Sequence, residues 1–329
     1  MFRRILACLS LVAVSLARSA LGVELAPFPV RNLSPLVQVR SLAIAGPARL
    51  NRPGQTTARL DFDLANHATE SNVGIESILL DGETYVATLG LRYGTGEDLQ
   101  LGLDLPWVSQ QRGFLDGFIR DWHDFFGLPK GDREKLPNNE LAFIYSRDGA
   151  EPLRLENRTN GLGDVRLLLA WQWLADERRA VSLQGAVKVP TGDAGDLTGS
   201  GGWDLSLAVS GQRDFRLDSG SVATWAGLGG SWLGGGGVLA DQAREWAVNA
   251  WLGVGWSPLV WLGLKLQLDS HSALYRSELR ELGEPALILT LGGTLEAGAA
   301  TSLDLSVGED LITNASPDFT CHISLSHRF

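Results

Sequence analysis

Along most of this chain apolar and polar residues alternate with a period of two. Ala58, Leu60, Phe62 and Leu64 fall on one side of an extended segment, and Arg59, Asp61 and Asp63 fall on the other. Tyr85, Ala87, Leu89, Leu91 and Tyr93 form the next apolar row. Leu99, Leu101, Leu103, Leu105 and Trp107 follow after the tight-turn sequence Gly94-Thr95-Gly96. Further rows begin at Val165, Val181, Trp203, Trp246, Leu262, Leu287 and Leu303. The last row reads back from Phe329 through His327, Leu325, Ile323 and Cys321 to Phe319, with Thr320, His322, Ser324, Ser326 and Arg328 between. This period, with one greasy and one wet face, predicts β-strands. The run 219–233 is glycine-rich, and its pattern does not assign its faces.

The connections alternate between short and long. Short ones lie near 95–97, 175–179, 257–259 and 298–300, and long ones at 108–161, 190–202, 234–243 and 271–284. Counting back from Phe329 gives nine strands from Leu162 onward, and three more cover 55–66, 76–94 and 97–107. The expectation is an all-β fold, a closed antiparallel transmembrane barrel of about twelve strands, with fourteen as the alternative. Twelve requires 76–94 to be one strand that crosses Asp81-Gly82 as a bulge. It also places Leu141–Ser146 and Leu153–Asn157 in a protruding hairpin. Each run reaches the roughly 9–11 residues that a tilted membrane strand needs. A final strand ending on phenylalanine resembles the last strand of bacterial outer-membrane barrels, where that ending is read by the barrel-assembly machinery. Short turns then lie in the periplasm and long loops outside. Trp107 and Trp203 fall at outer strand ends, and Trp173, Trp256 and Trp261 at periplasmic ends, as interfacial aromatics do.

Composition narrows this further. Arg3 and Arg4 precede the apolar run Ile5–Leu16, with small residues around Ala17–Gly22. That is the layout of a secretory signal peptide, 1–22, with cleavage after Ala17, Ala20 or Gly22. A lipidated Cys8 is the lesser alternative. Removing 1–22 takes away three arginines and no acids, so the net charge moves from −10 to −13. An acidic chain lacks the basic footprint that nucleic acid requires. Cys321 is then the only cysteine, so no disulfide and no cysteine metal site is expected. No later window holds 18 consecutive apolar residues, so no membrane helix is expected. Residues 23–54 carry Pro27, Pro29, Pro35, Pro47 and Pro53; they read as an irregular arm and a candidate plug, ahead of a barrel over 55–329.

Residues 113–129 break the alternation. Leu115, Ile119, Trp122 and Phe126 recur at helical spacing, with Phe118 and Phe125 beside them. Asp116, Arg120, Asp121, His123 and Asp124 cover the other side. This predicts a short amphipathic helix in the longest external loop, stopped by Gly127 and Pro129. It has three possible positions: at the outer interface, over the barrel mouth, or inside the lumen. His123 with Asp121 and Asp124 does not make a metal site, because such close neighbours do not converge on a helix.

The polar faces place both signs of charge in the lumen. Arg59, Arg92, Arg166, Lys188, Lys265 and Arg328 oppose Asp61, Asp63, Asp104, Asp204, Asp269, Glu296 and Asp304. Enclosed charges must be paired or hydrated. A water-filled pore and an ion-paired, plugged lumen both meet that requirement. His322 with Ser324, and Asp269-Ser270-His271-Ser272, hold residue types that an outer-membrane lipid-modifying enzyme would use. Neither Gly-x-Ser-x-Gly nor His-Glu-x-x-His occurs, so no enzyme, metal or cofactor is expected.

Several segments carry a family resemblance. They are Asp81-Gly82-Glu83-Thr84, Leu115-Asp116-Gly117, Trp122-His123-Asp124-Phe125-Phe126-Gly127-Leu128-Pro129, Gly161-Leu162-Gly163-Asp164, Lys188-Val189-Pro190-Thr191-Gly192 and Gly199-Ser200-Gly201. Together they resemble an uncharacterised proteobacterial outer-membrane barrel family. Lys-x-Pro-Thr-Gly is also similar to channels associated with aromatic-compound degradation, which implies small hydrophobic cargo. The reading is an outer-membrane channel or transporter in contact with lipid and a small molecule, with no nucleic acid. A closed structural or binding barrel is the alternative.

Overall fold

The computed structural model describes residues 23–127, 135–312, 315–317 and 319–329. The expected signal peptide, 1–22, and Pro129 lie outside them. The alternating rows form strands in chain order: β1 (Thr56–Val73), β2 (Glu76–Gly94), β3 (Leu99–Gln111), β4 (Ala142–Arg147), β5 (Ala150–Leu155), β6 (Thr159–Leu162), β7 (Val165–Ala175), β8 (Arg179–Val189), β9 (Asp204–Leu217), β10 (Gly220–Leu233), β11 (Trp246–Leu259), β12 (Leu262–His271), β13 (Ala286–Glu296), β14 (Thr301–Asp310) and β15 (Phe319–Arg328). Twelve of them close into an antiparallel ring. β3 pairs with β7, β7 to β15 pair in succession, and β15 returns to β1 with Leu60 opposite Leu325 and Asp61 opposite Ser324. The short strands do not widen the ring. β4 and β5 form a hairpin on the outer half of β2, and β6 continues the edge of β3. Twelve strands, not fourteen, is therefore the count.

Two strand details differ from the sequence expectation. β1 extends to Val73 rather than ending near 66, because the outer half of β2 partners it all the way to Val73 opposite Glu76. There is no bulge at Asp81-Gly82, since the β1–β2 register is unbroken from Thr56 to Val73. Gly82 instead answers a close approach. Its φ is +142°, and a Cβ there would sit 2.9 Å from Leu141 and 3.0 Å from the Gln111 carbonyl.

The apolar rows face out. Leu60, Leu167, Leu207, Leu252, Leu264, Leu291 and Leu325 are all exposed, and such a continuous apolar belt is what a lipid-facing barrel wall presents. Trp107, Trp203 and Trp246 are exposed at outer strand ends, and Trp173, Trp256 and Trp261 at the opposite rim. No helix among the described residues is long and apolar enough to cross a membrane. On β10, Ala223, Trp225, Ser231 and Leu233 are buried on the inner face. Trp225 and Trp251 lie across one another's glycines: a Cβ on Gly227 would meet Trp251 at 2.1 Å, and one on Gly253 would meet Trp225 at 2.3 Å.

The helix Asp116–Phe126 settles among its three alternatives on the outside of the wall. Asn66 and Glu83 belong to the outward rows of β1 and β2, and both are buried beneath the start of this helix. The Glu83 carboxylate accepts the Phe114 amide at 2.9 Å, the Leu115 amide at 2.8 Å and Asn66 Nδ2 at 3.2 Å, and it also takes the Tyr85 hydroxyl. It thus satisfies amides that open a helix and otherwise lack partners. Asp116 accepts Asn66 Nδ2 at 3.1 Å and the Asn139 amide at 2.7 Å. Phe118 meets Phe319 edge-on at 6.0 Å, which buries Phe319 within an outward row. Ile119 is buried, while Phe114, Phe118 and Phe125 stay exposed. The side chains of Trp122, His123 and Phe126 lie outside the described residues. Glu83→Ala leaves these amides without an acceptor, a cost of about 1–3 kcal/mol. Limited proteolysis of the folded protein is expected to cut within 112–140 several-fold faster, with the barrel intact. An unchanged rate would mean that apolar contacts alone hold the helix.

Candidate functional site in the barrel lumen

The arm 23–54 runs through the lumen as two legs joined by an apex. The first leg starts at the periplasmic end with Val23 and Leu25, buried against Trp225 and the glycine-bare stretch at Gly255 and Gly263. Phe28 is clamped by one glutamine: its amide donates to Gln267 Oε1 at 2.9 Å, and Gln267 Nε2 donates to its carbonyl at 2.9 Å. Asn32 Nδ2 lies 2.9 Å from His271 Nε2 and from the Ala315 carbonyl. The apex is the single helical turn Pro35–Gln38, started by a proline that needs no amide partner there. Tyr275 donates to the Leu36 carbonyl at 2.6 Å, and Gln38 Nε2 to the Leu197 carbonyl at 2.8 Å. Burial raises the pKa of the Tyr275 hydroxyl, so it remains a donor.

The second leg descends along five strands, each offering an amide or hydroxyl side chain. Asn249 Nδ2 donates to the Ala43 carbonyl at 2.7 Å, Ser210 to Gly46 at 3.0 Å, Gln184 to Pro47 at 3.2 Å and Gln172 to Ala48 at 2.8 Å. Gln100 accepts the Asn51 amide at 3.0 Å. Proline-rich backbone cannot complete a ladder of its own, and here its carbonyls are satisfied by side chains of the wall.

Above the apex the outer mouth is filled. Leu36, Val37 and Val39 of the arm form one apolar core with Ile78, Leu80, Phe143, Tyr145, Leu153 and Leu155 of the β2–β4–β5 extension, and with Leu197, Val238, Leu274, Tyr275 and Leu279 of the external loops. Tyr145 donates to Glu76 at 2.5 Å; burial and that carboxylate push its pKa up to about 12.

The charges expected in the lumen fall into separate groups. Lys188 lies 2.5 Å from Asp164 and 3.2 Å from Asp204, donates to the Val39 carbonyl at 3.1 Å and also bonds Ser200. Asp204 accepts the Ser41 amide at 2.8 Å, so this ion triad grips both sides of the arm near its apex. Lys265 pairs with Asp304 at 3.1 Å, donates to the Ala26 carbonyl at 3.2 Å and sits 3.8 Å from the Phe28 ring centre. Arg59 pairs with Asp61 at 2.7 Å and Arg92 with Asp104 at 2.8 Å, whereas Arg166 reaches Asp104 only at 4.0 Å. Asp269 accepts from Gln267 Nε2. Glu296 is half-buried. Arg328 is exposed and pairs with Glu24 of the arm at 2.5 Å.

The serine and histidine candidates do not meet. His322 Nδ1 lies 2.6 Å from Asp63 while Ser324 donates to Asp61 at 2.6 Å, and His322 Nε2 has no partner. His271 is used by Asn32 and by the Ser272 carbonyl at 2.8 Å. Among the described residues, no group of three or more histidines, cysteines or carboxylates could hold a metal ion. Residues that the sequence reading passed over do much of the arm-holding: Gln172, Gln184, Asn249 and Gln267. Each has inward parity, which is the signal that could have found them.

With both legs in place, a partly open cavity of about 60 Å³ lies between the arm and the wall.

Over residues 4–329 the sequence matches a family described as a protein of unknown function (DUF3187). No curated protein matches it. Among solved structures it is similar to an outer membrane channel from Pseudomonas putida F1, at 14% identity and a TM-score of 0.57, covering 86% of this chain and 98% of that one. It is also similar to the NanC porin, at 8% identity and a TM-score of 0.46, over 83% of this chain and 98% of that one. The first shares the fold; the second is too distant to carry an argument.

Proposed function

As the chain belongs to the DUF3187 family, whose function is unknown, we propose its role from its own lumen: an outer-membrane channel for small molecules, closed at rest by its N-terminal arm. Residues 1–22 direct export, and the last strand with Phe329 engages the assembly machinery. The observation that carries this reading is how the arm is held. Its polar contacts with the wall are mostly single hydrogen bonds from side chains, whereas the wall itself is a closed hydrogen-bonded ring that needs no arm to complete it. An arm held this way can leave without opening the barrel. The lumen it would vacate is lined by charge pairs and amides, which suit water.

A second reading, a permanently closed binding barrel, is favoured by the apolar core over the outer mouth. A tether separates the two. A Cβ built on Gly229 falls 2.7 Å from that of Ala43, so a disulfide between Ala43→Cys and Gly229→Cys needs the arm to give by about an ångström. In a Cys321→Ser background, the oxidised protein is expected to be silent in planar bilayers and the reduced protein to show openings. Identical records in both states would support the closed barrel.

A further inference from the structure

The lumen cations are not all paired, and two arginines without a close carboxylate face one cavity. On the β1–β2–β3–β7 side, Arg59 is matched by Asp61, Arg92 by Asp104, and Asp63 is taken by His322. Arg166 is buried, yet among the described residues its only ion-pair contact is Asp104 at 4.0 Å, and its Nε has no hydrogen-bond partner. Arg31, from the first leg of the arm, has no ion pair or side-chain hydrogen bond among the described residues. Both arginines line the cavity between the arm and the wall, where the like charge of Arg31 acts on Arg166.

The other charged groups on that cavity are accounted for. Lys188 and Asp164 pair with each other. Arg40 donates to the Gly234 and Val238 carbonyls. His271 holds Asn32. Asp269, on the β12 wall, is bonded by Gln267 and pairs with neither arginine. Apolar side chains fill the surface between: Val37, Val39 and Ile44 of the arm, with Pro106 and Val108 of β3.

We propose that Arg31 and Arg166 form a binding site for the carboxylate of a small organic acid. Two guanidinium forks, one unpaired and one with only a 4.0 Å contact to Asp104, match the planar, two-oxygen geometry of a carboxylate better than that of a spherical ion. The apolar lining suits a short hydrocarbon body. The volume, about 60 Å³, is on the order of two waters' share of the liquid. It admits a carboxylate group bearing one or two further carbons, as in acetate or propionate, while the arm is in place, and a longer acid only as the arm withdraws. The bound anion bridges arm and wall, so it stabilises the closed state in proportion to its occupancy. This names a cargo class for the lumen and rests on the lumen being the cargo's route. Binding and conductance are measured separately, so either can fail alone.

The test is calorimetric titration of the full-length, detergent-folded protein with sodium propionate, and with sodium chloride and propylammonium chloride as comparison probes. Propionate is expected to bind saturably at one site. Arg31→Gln and Arg166→Gln are each expected to weaken it about ten-fold or more, as loss of a charged hydrogen-bond donor does, while Arg154→Gln on the exposed hairpin leaves it unchanged. Propylammonium is expected not to bind. Arg31→Gln removes no wall contact, so it remains informative if Arg166→Gln fails to fold. Absence of saturable propionate binding, equal affinity in the Arg31 variant, or equally strong competition by chloride would overturn the assignment.

Discussion

Lys188→Met is expected to destabilise the folded protein by about 3–5 kcal/mol, the range seen when one partner of a buried ion pair is removed. The Lys188 ammonium is enclosed between Asp164 and Asp204, and all three side chains are almost wholly buried. Methionine keeps much of the volume but leaves two buried carboxylates without their cation. Their remaining donors are the amides of Gly192 and Ser200 for Asp164, and of Ser41 and Gly234 for Asp204. Four amides do not neutralise two charges, so the site is expected to open. Opening is easiest where the arm enters, because the lysine's own bond to the Val39 carbonyl is lost too. The unfolding midpoint in urea, measured in lipid vesicles, is expected to fall, and proteolysis of the arm at the apex is expected to accelerate. The triple variant Lys188→Met, Asp164→Asn, Asp204→Asn removes all three charges and is expected to recover most of the loss. A Lys188→Met protein as stable as the parent would show that the triad contributes nothing to holding the arm.

The wall was more legible in the sequence than its contents. Period-two alternation survives in nearly every strand because lipid outside and polar lumen inside impose opposite demands on neighbouring residues. That is why the outward parity of Leu60, Leu167 and Leu252 could be read directly. β10 resisted for a physical reason: its inner glycine Gly227 makes room for Trp251, so the informative side chain belongs to the next strand. The outer half of β1 was cut short because polar residues such as Thr69 and Glu70 there suggest a loop. Their strand conformation depends on β2, an interaction beyond any local pattern. Similarly, Glu83 looks like one more exposed acid, and its role as acceptor for the helix at Asp116–Phe126 needs the loop to return over thirty residues later. The charged lumen residues were found by parity, but their partners were not. Sequence showed both signs inside; only the folded chain puts Lys188 between two aspartates and leaves Arg166 short of one.

The arm was recognised as irregular and proline-rich. Its path was not legible, because many of its carbonyls are satisfied by single side chains scattered over several strands and loops, and such contacts leave no periodic trace. The account depends on that path, and planar-bilayer conductance of the intact protein against the protein lacking residues 23–54 tests it most directly. Removing the arm takes Val23, Leu25, Phe28 and Leu36 out of the lumen together with their backbone, while the hydrogen-bonded ring from β1 to β15 stays complete. The ring is therefore expected to fold and to keep the altered gel mobility of a barrel before heating. The prediction is rare, brief openings for the intact protein and a steady open conductance for the shortened one. A shortened barrel that is folded and does not conduct, or an intact protein that conducts equally well, would contradict it.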